Sequence, residues 1–377
     1  MSRILITGGA GFIGSNLANA FAADGHEVTV LDNLLPQVHG TSPESSELYQ
    51  LASKAATVVV GDVCSRKDLE AVLPGQDVVV HLAAETGTGQ SMYEVERYNR
   101  VNVGGTAILL DILANDSSRT VKKVVIASSR SIYGEGRYLS PELGYVYPGS
   151  RSETDMLEGR FEPTYPGSGA LELVGTSEDS KIQPSSVYGI TKHTQEALVM
   201  TVCPTLGISP VALRYQNVYG PGQSLTNPYT GILSIFSTLI RQGRAINIFE
   251  DGLESRDFVF VDDVVRATMQ ASLDSRANNQ IFNVGSGVGT TVNTVVDELI
   301  RAYDQKVPVE VTGNFRLGDV RHNIADLTRI RETLGFEPEV SFRDGVEKFA
   351  AWVASQDVVD GGYEASLEEM RQKKLLK

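Results

Sequence analysis

Short runs of hydrophobic residues alternate with longer amphipathic segments along most of the chain. The runs are rich in valine and isoleucine, with little polar alternation: RILIT, EVTVLD, ATVVVGD, DVVVHLAA, KKVVIASS, PVALRY and IFNVG. Uninterrupted runs of this kind are typical of strands buried on both faces of a parallel sheet. Helix-like segments such as 15–24 and 101–115 lie between the runs and would supply right-handed crossovers. The pattern therefore predicts an α/β fold built on a doubly wound parallel sheet.

The chain has 377 residues, 41% of them hydrophobic. A chain of this length and hydrophobic content is too large for a single compact domain. We predict a sheet domain over 1–212 and a smaller mixed α/β substrate-binding lobe over 213–354, from which about 255–285 returns to the sheet domain. Residues 135–186 are rich in Gly, Pro, Tyr and acid and lack periodicity, which favours a functional lid or a mobile surface loop. The tail, 355–377, is predicted to be a mixed-charge, loosely attached helix.

The net charge of −14 limits the partners of this chain. An acidic protein repels phosphate backbones, so we expect no nucleic-acid partner, and any phosphate ligand must find its positive charge locally. No apolar stretch approaches the ~20 residues that span a bilayer, and the amino terminus lacks the anatomy of a signal peptide. Cys64, Cys203 and the histidines show neither disulfide nor metal spacing. We expect a cytoplasmic protein with no metal and no membrane segment.

The glycine-rich stretch TGGAGFIG directly follows the first predicted strand and opens a helix. Gly8, Gly11 and Gly14 permit a tight turn and let backbone amides approach a pyrophosphate at the positive end of the helix. Asp32 ends the second strand, 18 positions after Gly14, where a carboxylate accepts hydrogen bonds from the adenosine ribose and repels a 2′-phosphate. The combination predicts a Rossmann-type domain that binds NAD. Asp32 could instead be a solvated acid at a strand end. The adjacent glycine turn favours the cofactor-binding role over this alternative.

Tyr188 and Lys192, in YGITK, stand four residues apart and share one face of a helix. A nearby ammonium group and a bound nicotinamide ring both lower the pKa of a phenol. The phenolate can then remove a proton from a sugar hydroxyl while a hydride leaves the same carbon. Y-x-x-x-K is common by chance, so its value depends on the motifs that accompany it.

Those motifs carry a family resemblance. In chain order they are TGGAGFIG (7–14), GDV (61–63), HLAA (81–84), NVGGT (102–106), SSRSIYG (128–134), YGITK (188–192), RYQNVYGPGQ (214–223), RDFVFVDDV (256–264) and FRLGDVRHNIAD (315–326). From Met1 to about Trp352 the chain resembles the extended short-chain dehydrogenase/reductase family, in its nucleotide-sugar epimerase and dehydratase branch. The segments 85–94, 131–136 and 227–236 most resemble NAD-dependent 4-epimerases of the dTDP-L-rhamnose and UDP-glucose types.

The resemblance implies a role for individual residues. Ser129 would hydrogen-bond the reacting hydroxyl, Tyr188 would be the base, and Lys192 would hold the nicotinamide ribose. The cofactor site is expected to comprise Gly8, Gly11, Phe12, Ile13, Gly14, Asp32, Asn33, Asp62, Val63, Leu82, Ala83, Ala84, Asn102, Tyr188 and Lys192. The substrate site is expected to comprise Gln90, Ser91, Arg130, Ser131, Asn217, Arg256, Arg316 and Asp319, among which Asn217 and the last two arginines would bind the diphosphate and Asp319 the ribose. Relatives also pair the helices through 101–115 and 188–200, which implies a homodimer.

The residues after Ser129 separate the activities of this branch. Dehydrating relatives carry Asp then Glu there, and decarboxylating relatives keep the Glu, whereas this chain has Arg130 and Ser131. Neither side chain can take a C5 proton or protonate a departing hydroxyl, so reversible oxidation at C4 remains. Arg130 suits the carboxylate of a uronic acid, and an ion pair with Glu85 or with an acid of 135–186 is the open alternative.

The sequence thus predicts an NAD-dependent 4-epimerase of a UDP- or dTDP-hexose that serves surface polysaccharide synthesis. A 4,6-dehydratase, or a dehydrogenase or reductase that consumes the cofactor, is the alternative within the same family. A third hypothesis is a non-catalytic protein that senses NAD. Sensors of this kind typically lose the tyrosine or the lysine, and here Ser129, Tyr188 and Lys192 are all present.

Overall fold

A central sheet with smaller sheets around it makes up the computed structural model, which describes residues 1–225, 227, 231–357 and 362–377. Parts of the predicted 227–236 motif and of the tail lie outside the described residues. The strands are β1 (Arg3–Thr7), β2 (Glu27–Asp32), β3 (Thr57–Val60), β4 (Val78–His81), β5 (Lys123–Ser129), β6 (Tyr138–Ser140), β7 (Gly144–Val146), β8 (Glu172–Leu173), β9 (Ser209–Tyr215), β10 (Asn217–Tyr219), β11 (Ile246–Ile248), β12 (Ser255–Phe260), β13 (Gln280–Val284), β14 (Gly289–Thr291), β15 (Val309–Val311) and β16 (His322–Asn323).

Helices cover both faces of the central sheet and the smaller lobe. They are α1 (Phe12–Ala23), α2 (Pro36–His39), α3 (Glu47–Ala55), α4 (Arg66–Val72), α5 (Thr88–Ser91), α6 (Val95–Tyr98), α7 (Gly105–Asn115), α8 (Glu153–Leu157), α9 (Val187–Thr205), α10 (Ile232–Arg241), α11 (Val261–Leu273), α12 (Val292–Tyr303), α13 (Thr328–Leu334), α14 (Phe342–Ala354) and α15 (Tyr363–Gln372). A π-helical turn, Asn99–Gly104, precedes α7. Within the described ranges no helix is long and apolar enough to cross a membrane.

Seven parallel strands form the central sheet in the order β3-β2-β1-β4-β5-β9-β13. Alternate side chains of β1 enter different cores: Ile4 and Ile6 pack with α1 and α11, while Leu5 packs with α7 and α9. This explains the continuous hydrophobic runs, since both faces of each strand are buried. The predicted doubly wound sheet is therefore confirmed. The carboxyl ends of β1, β2, β4 and β5 share one edge, where open α/β sheets bind their ligands.

The smaller lobe shares a core with the sheet domain. Strands β10, β12, β14 and β16 form one small sheet and β11 pairs with β15. One buried cluster runs from Ile4 in the central sheet to Phe258 in β12 and Phe349 in α14. Strand β9 continues in the central sheet to Tyr215, past the predicted boundary at residue 212, and β13 returns to the same sheet.

The 135–186 segment forms a folded layer on the smaller lobe, not the predicted lid or mobile loop. Strands β7, β6 and β8 make an antiparallel sheet, and Thr176 pairs with Ala325 in a parallel bridge. The Arg151 guanidinium donates to both carboxylate oxygens of Glu250 at 2.8 Å. Strands of two or three residues are too short to leave a periodic pattern in the sequence, which is why the layer was missed.

The tail contains the predicted helix, α15, but it is not loosely attached. Leu367, Met370 and Leu376 are each no more than 5% exposed and form one cluster. Beyond the helix, the amides of Phe315 and Lys377 donate to each other's carbonyls at 3.1 and 3.0 Å. The tail therefore joins the smaller lobe through both apolar packing and backbone pairing.

His81 ends β4 in a fully buried position between two hydroxyl groups. One ring nitrogen lies 2.6 Å from Thr7 Oγ1 and the other 3.0 Å from Thr106 Oγ1. Burial, reinforced by the charge of Lys192, lowers the pKa of His81 to about 3. The folded protein therefore holds this ring neutral where an unfolded chain, with a histidine pKa of 6.5, takes up a proton.

We predict that His81 makes the protein acid-sensitive. Between pH 6.5 and 3 the unfolded state binds the extra proton, so the free energy of unfolding should fall as pH falls, by up to about 1.4 kcal/mol per pH unit from this group. Chemical denaturation across this range should show a shallower slope for His81→Gln. The same change at half-buried His193 on α9 is the control and should keep the wild-type slope. Equal slopes for His81→Gln and wild type would contradict the prediction.

Candidate active site

The glycine turn between β1 and α1 is pressed against the end of β4. Gly8 has φ +68°, and a Cβ added there would lie 2.8 Å from the Ala83 Cα. A Cβ on Gly14 would lie 2.4 Å from the Gly8 carbonyl oxygen. Gly11 caps α1 without any side-chain hydrogen bond, so the first amides of the helix face the cavity unpaired by a cap. Such an N-terminus is suited to a diphosphate.

Asp32 is fixed beside this turn by two backbone amides. Its carboxylate accepts hydrogen bonds from Ala10 N at 3.0 Å and Leu34 N at 2.9 Å. The carboxylate belongs to the wall of a cavity of about 420 Å³. The predicted cofactor residues on this wall are Gly8, Gly11, Phe12, Ile13, Gly14, Asp32, Asn33, Asp62, Val63, Leu82, Ala83, Ala84, Tyr188 and Lys192. The close glycine turn, the uncapped helix and the fixed acid fit NAD.

Asn102 is the exception among the predicted cofactor residues, because it does not line the cavity. Its amide oxygen accepts from Glu85 N at 2.7 Å, and its amide nitrogen donates to Glu85 O and to Thr191 Oγ1 at 3.1 and 3.0 Å. The π-helical turn directs the side chain inward, where it is fully buried. Asn102 therefore ties the loop after β4 to α9.

The predicted catalytic residues meet on the floor of the same cavity. Ser129 is the last residue of β5, and Tyr188 and Lys192 lie on the first turns of α9. All three side chains share the wall of this cavity. A Cβ on Gly189 would lie 2.5 Å from Ser131 O, so this glycine is what lets α9 approach the turn after β5.

Two neighbouring residues oppose the effect of burial on Tyr188. Burial raises the pKa of Tyr188, while Ser129 and the charge of Arg130 lower it, with a net upward shift. Burial lowers the pKa of Lys192 to about 7, and its Nζ donates to Gln195 Oε1 at 3.0 Å. Arg130 is thus a cation that lowers this pKa, and the effect of Lys192 on Tyr188 stays a prediction.

A buried ion pair anchors α9 to the sheet, and sequence analysis did not identify it. Arg214 of β9 donates through Nε to Glu196 of α9 at 3.0 Å and through a terminal nitrogen to Tyr133 Oη at 2.8 Å. Both charged side chains are 4% exposed. Pairs of this kind are costly to break. The sequence does offer one indication of this pair, which is that Arg214 lies near the end of an otherwise apolar predicted strand.

A second cavity of about 220 Å³ adjoins the first, with Gly231 on the wall of both. Five of the predicted substrate residues line it, namely Arg130, Asn217, Arg256, Arg316 and Asp319. The Asp319 carboxylate accepts from Arg256 at 3.1 Å and from Arg316 at 3.0 Å. The buried Oδ1 of Asn217 has no hydrogen-bond partner in the part of the chain that the structure describes, which fits a ligand at this position.

Gln90, Ser91 and Ser131 do not line either cavity, and their predicted contact with substrate stays a prediction. Gln90 is buried and bonds other side chains, including Gln37 and Tyr98. Ser91 Oγ accepts from the Tyr188 amide at 3.0 Å, and the Ser131 amide donates to Ser129 Oγ at 3.2 Å. Ser91 and Ser131 thus bond directly to the predicted catalytic residues Tyr188 and Ser129. The short helix α5 turns Gln90 and Ser91 away from the cavity, and its earlier residues, Thr88 and Gly89, line the wall in their place.

Arg130 faces the second cavity without a carboxylate partner among the described residues. Glu85, one of the predicted partners, pairs with Arg97 at 2.8 Å. Glu135, at the start of the 135–186 segment, lies 3.4 Å from Arg151. Neither Glu85 nor Glu135 is therefore the ion-pair partner of Arg130. Within the described ranges no group of three or more His, Cys, Asp or Glu side chains is placed to hold a metal ion.

Comparison with known proteins places this geometry in a family. A family model described as "NAD dependent epimerase/dehydratase family" matches residues 4–153 and 162–285. The chain belongs to this family. It is 37% identical to dTDP-L-rhamnose 4-epimerase of Burkholderia thailandensis over 356 residues, which is 94% of this chain and 95% of the relative. The predicted family and the NAD-dependent enzyme class are confirmed.

Two solved structures show the same fold. UDP-glucose 4-epimerase of Thermotoga maritima, solved with UDP-glucose, is 30% identical with a TM-score of 0.74, and the match covers 93% of this chain and 98% of that one. MoeE5, solved with UDP-glucuronic acid and NAD, is 28% identical with a TM-score of 0.72 and covers 93% and 99%. The predicted Rossmann-type fold and the NAD cofactor agree with both the family and these neighbours.

We predict that Asp32→Ala weakens NAD binding about 10- to 100-fold, because it removes charge-assisted hydrogen bonds to the ribose. Titration calorimetry with NAD measures the change. Glu27→Ala is the matched control: it removes an exposed carboxylate from the first residue of the same strand and should bind NAD as wild type does. Equal affinity of the two variants would contradict the assignment of Asp32.

Proposed function

We propose that this protein is an NAD-dependent 4-epimerase of nucleoside-diphosphate sugars. It would oxidise the C4 hydroxyl to a ketone and reduce that ketone on its other face, so that mass and redox state are unchanged. One observation carries the proposal: Ser129, Tyr188 and Lys192 face a cavity that adjoins an arginine-lined second cavity. The first cavity suits the cofactor and the second a diphosphate.

The catalytic residues divide the proton transfer between them. Tyr188, as phenolate, takes the C4 hydroxyl proton and returns it after the hydride has moved back. Ser129 shares the cavity wall with this phenol and would orient the sugar hydroxyl towards it. Bound NAD supplies the hydride acceptor, and its reduced form supplies the donor. Arg130 lowers the pKa of this phenol, and the ammonium of Lys192, together with the positive nicotinamide ring when NAD is bound, would lower it further.

Elimination of water is disfavoured by the residues beside Ser129. A dehydratase needs an acid and a base near C5 and C6. Arg130 has no acidic proton to give near neutral pH, and Ser131 uses its amide to hold Ser129 and lines neither cavity. Epimerisation needs only the one base at C4, which Tyr188 provides.

The kinship with dTDP-L-rhamnose 4-epimerase supports a 6-deoxyhexose on a thymidine or uridine diphosphate. We also propose that the product is made in the cytoplasm for surface polysaccharide. Arg130 favours a second candidate sugar, a hexuronic acid, whose carboxylate would meet its guanidinium. We also propose a homodimer through α7 and α9. Ile190, on the first turn of α9, is 51% exposed, which suits burial in such a contact.

We predict that Tyr188→Phe lowers turnover of the accepted sugar by about 10² to 10⁴, the usual contribution of a general base, while NAD still binds. The assay uses UDP- and dTDP-hexoses, uronic acids included, and follows product mass, the C4 proton coupling and absorbance at 340 nm. An unchanged mass, an inverted coupling and no net NADH are expected. Tyr145→Phe, the same change at a residue 60% exposed, should leave turnover unchanged. A product that has lost water, or steady formation of NADH, would contradict the proposal.

We predict that Arg130→Met separates acidic from neutral sugars. Loss of a charge-assisted hydrogen bond should reduce kcat/KM for the uronic acid about 10- to 100-fold more than for the neutral sugar. Arg130 also lowers the pKa of Tyr188. The limb of the pH–rate profile on which activity rises as the tyrosine ionises should therefore move to higher pH in the variant. Equal losses on both sugars with an unmoved profile would contradict both roles.

A further inference from the structure

We propose that the carboxy-terminal segment 362–377 is part of the substrate site and forms the apolar wall against which the nucleoside of the sugar nucleotide binds. This inference rests on the proposed function. It concerns a segment beyond the last residue matched by the family model, 285. Tyr363, Leu367 and Met370 of α15 line the second cavity together with the three arginines.

The wall is apolar on the side that faces the cavity. Leu367 and Met370 are 5% and 4% exposed, and they pack in one cluster with Leu376, Phe249 and Tyr363. Phe249 also lines the cavity, and the Arg316 guanidinium lies 5.6 Å from the centre of its ring. Apolar and aromatic side chains suit the faces of a base and a ribose, whereas the arginines suit the diphosphate.

The carboxyl end of the segment is held by part of the substrate site and by the 135–186 layer. Leu376 pairs with Arg316 in an antiparallel bridge, and the Leu317 amide donates to Leu375 O at 2.9 Å. The tail thereby fixes the backbone on either side of a diphosphate-binding arginine. Lys377 Nζ also lies 2.8 Å from Glu153 in α8, so the 135–186 layer secures the end of the chain.

The other contact is with the loop after β4, which carries α5. A Cβ on Gly89 would lie 3.7 Å from Met370 Sδ, which is ordinary contact distance. Tyr93 Oη donates to Glu369 at 3.2 Å. The helix therefore closes the gap between this loop, which belongs to the sheet domain, and the smaller lobe. The cofactor cavity has no residue of the segment on its wall, so NAD should bind without it.

The test compares nucleotide binding in three variants of the NAD-loaded protein, with UDP and dTDP as probes in titration calorimetry. A chain that ends at residue 361 loses the wall, and Leu376→Asp detaches it at a side chain outside the cavity. Leu367→Ala removes part of one apolar side chain from the wall and leaves the rest of the segment in place. It tests the role of the wall if the first two variants fold poorly. Ala365→Asp, on the exposed face of the same helix, is the control.

The proposal expects UDP and dTDP to bind about tenfold or more weakly to the first two variants and a few-fold more weakly to Leu367→Ala. NAD content should equal that of wild type, and KM for the sugar nucleotide should rise more than kcat falls. Unchanged nucleotide affinity, or parallel loss of NAD, overturns the inference. Wild-type protein that binds neither nucleotide overturns the proposed function itself.

Discussion

Asp319 is the carboxylate around which the second cavity is built. It binds Arg256 and Arg316 through its side chain, and its carbonyl accepts from Arg151 at 3.0 Å. Burial alone would raise its pKa, but the surrounding arginines outweigh burial and keep it ionised. In a chain of net charge −14, one acid thus gathers guanidinium groups at the cavity that we propose binds the diphosphate. The added layer and the tail both attach to this cluster.

The catalytic floor depends on a different constraint, which is close packing of α9 against the turn after β5. Gly189 leaves space for that turn, and the Arg214–Glu196 pair fixes the helix to the sheet. The result is a phenol removed from water, whose charged form depends on Ser129 and on the cations nearby. Two parts of the molecule, the parallel sheet and the arginine cluster, therefore meet at Arg130, which lies next to Ser129 in the chain.

The sequence predicted what periodicity and glycine spacing encode: the parallel sheet, the dinucleotide turn, Asp32 and the catalytic pair. It failed where the direction of a side chain depends on tertiary contacts. Gln90 and Ser91 lie two and three residues from Thr88, and only the short helix α5 decides which of them faces the cavity. The tail has a low average hydrophobicity, and its burial depends on a few apolar residues such as Leu376 that meet a partner remote in sequence.

In the proposed epimerisation a hydride leaves C4 and returns to the same carbon. Its most direct test uses an accepted sugar nucleotide carrying deuterium at C4, converted in ordinary water and followed by proton NMR and mass spectrometry. We expect the deuterium to remain at C4 in both epimers, with none in solvent and none in released NADH. Deuterium lost to solvent, or carried away on the reduced cofactor, would contradict the mechanism.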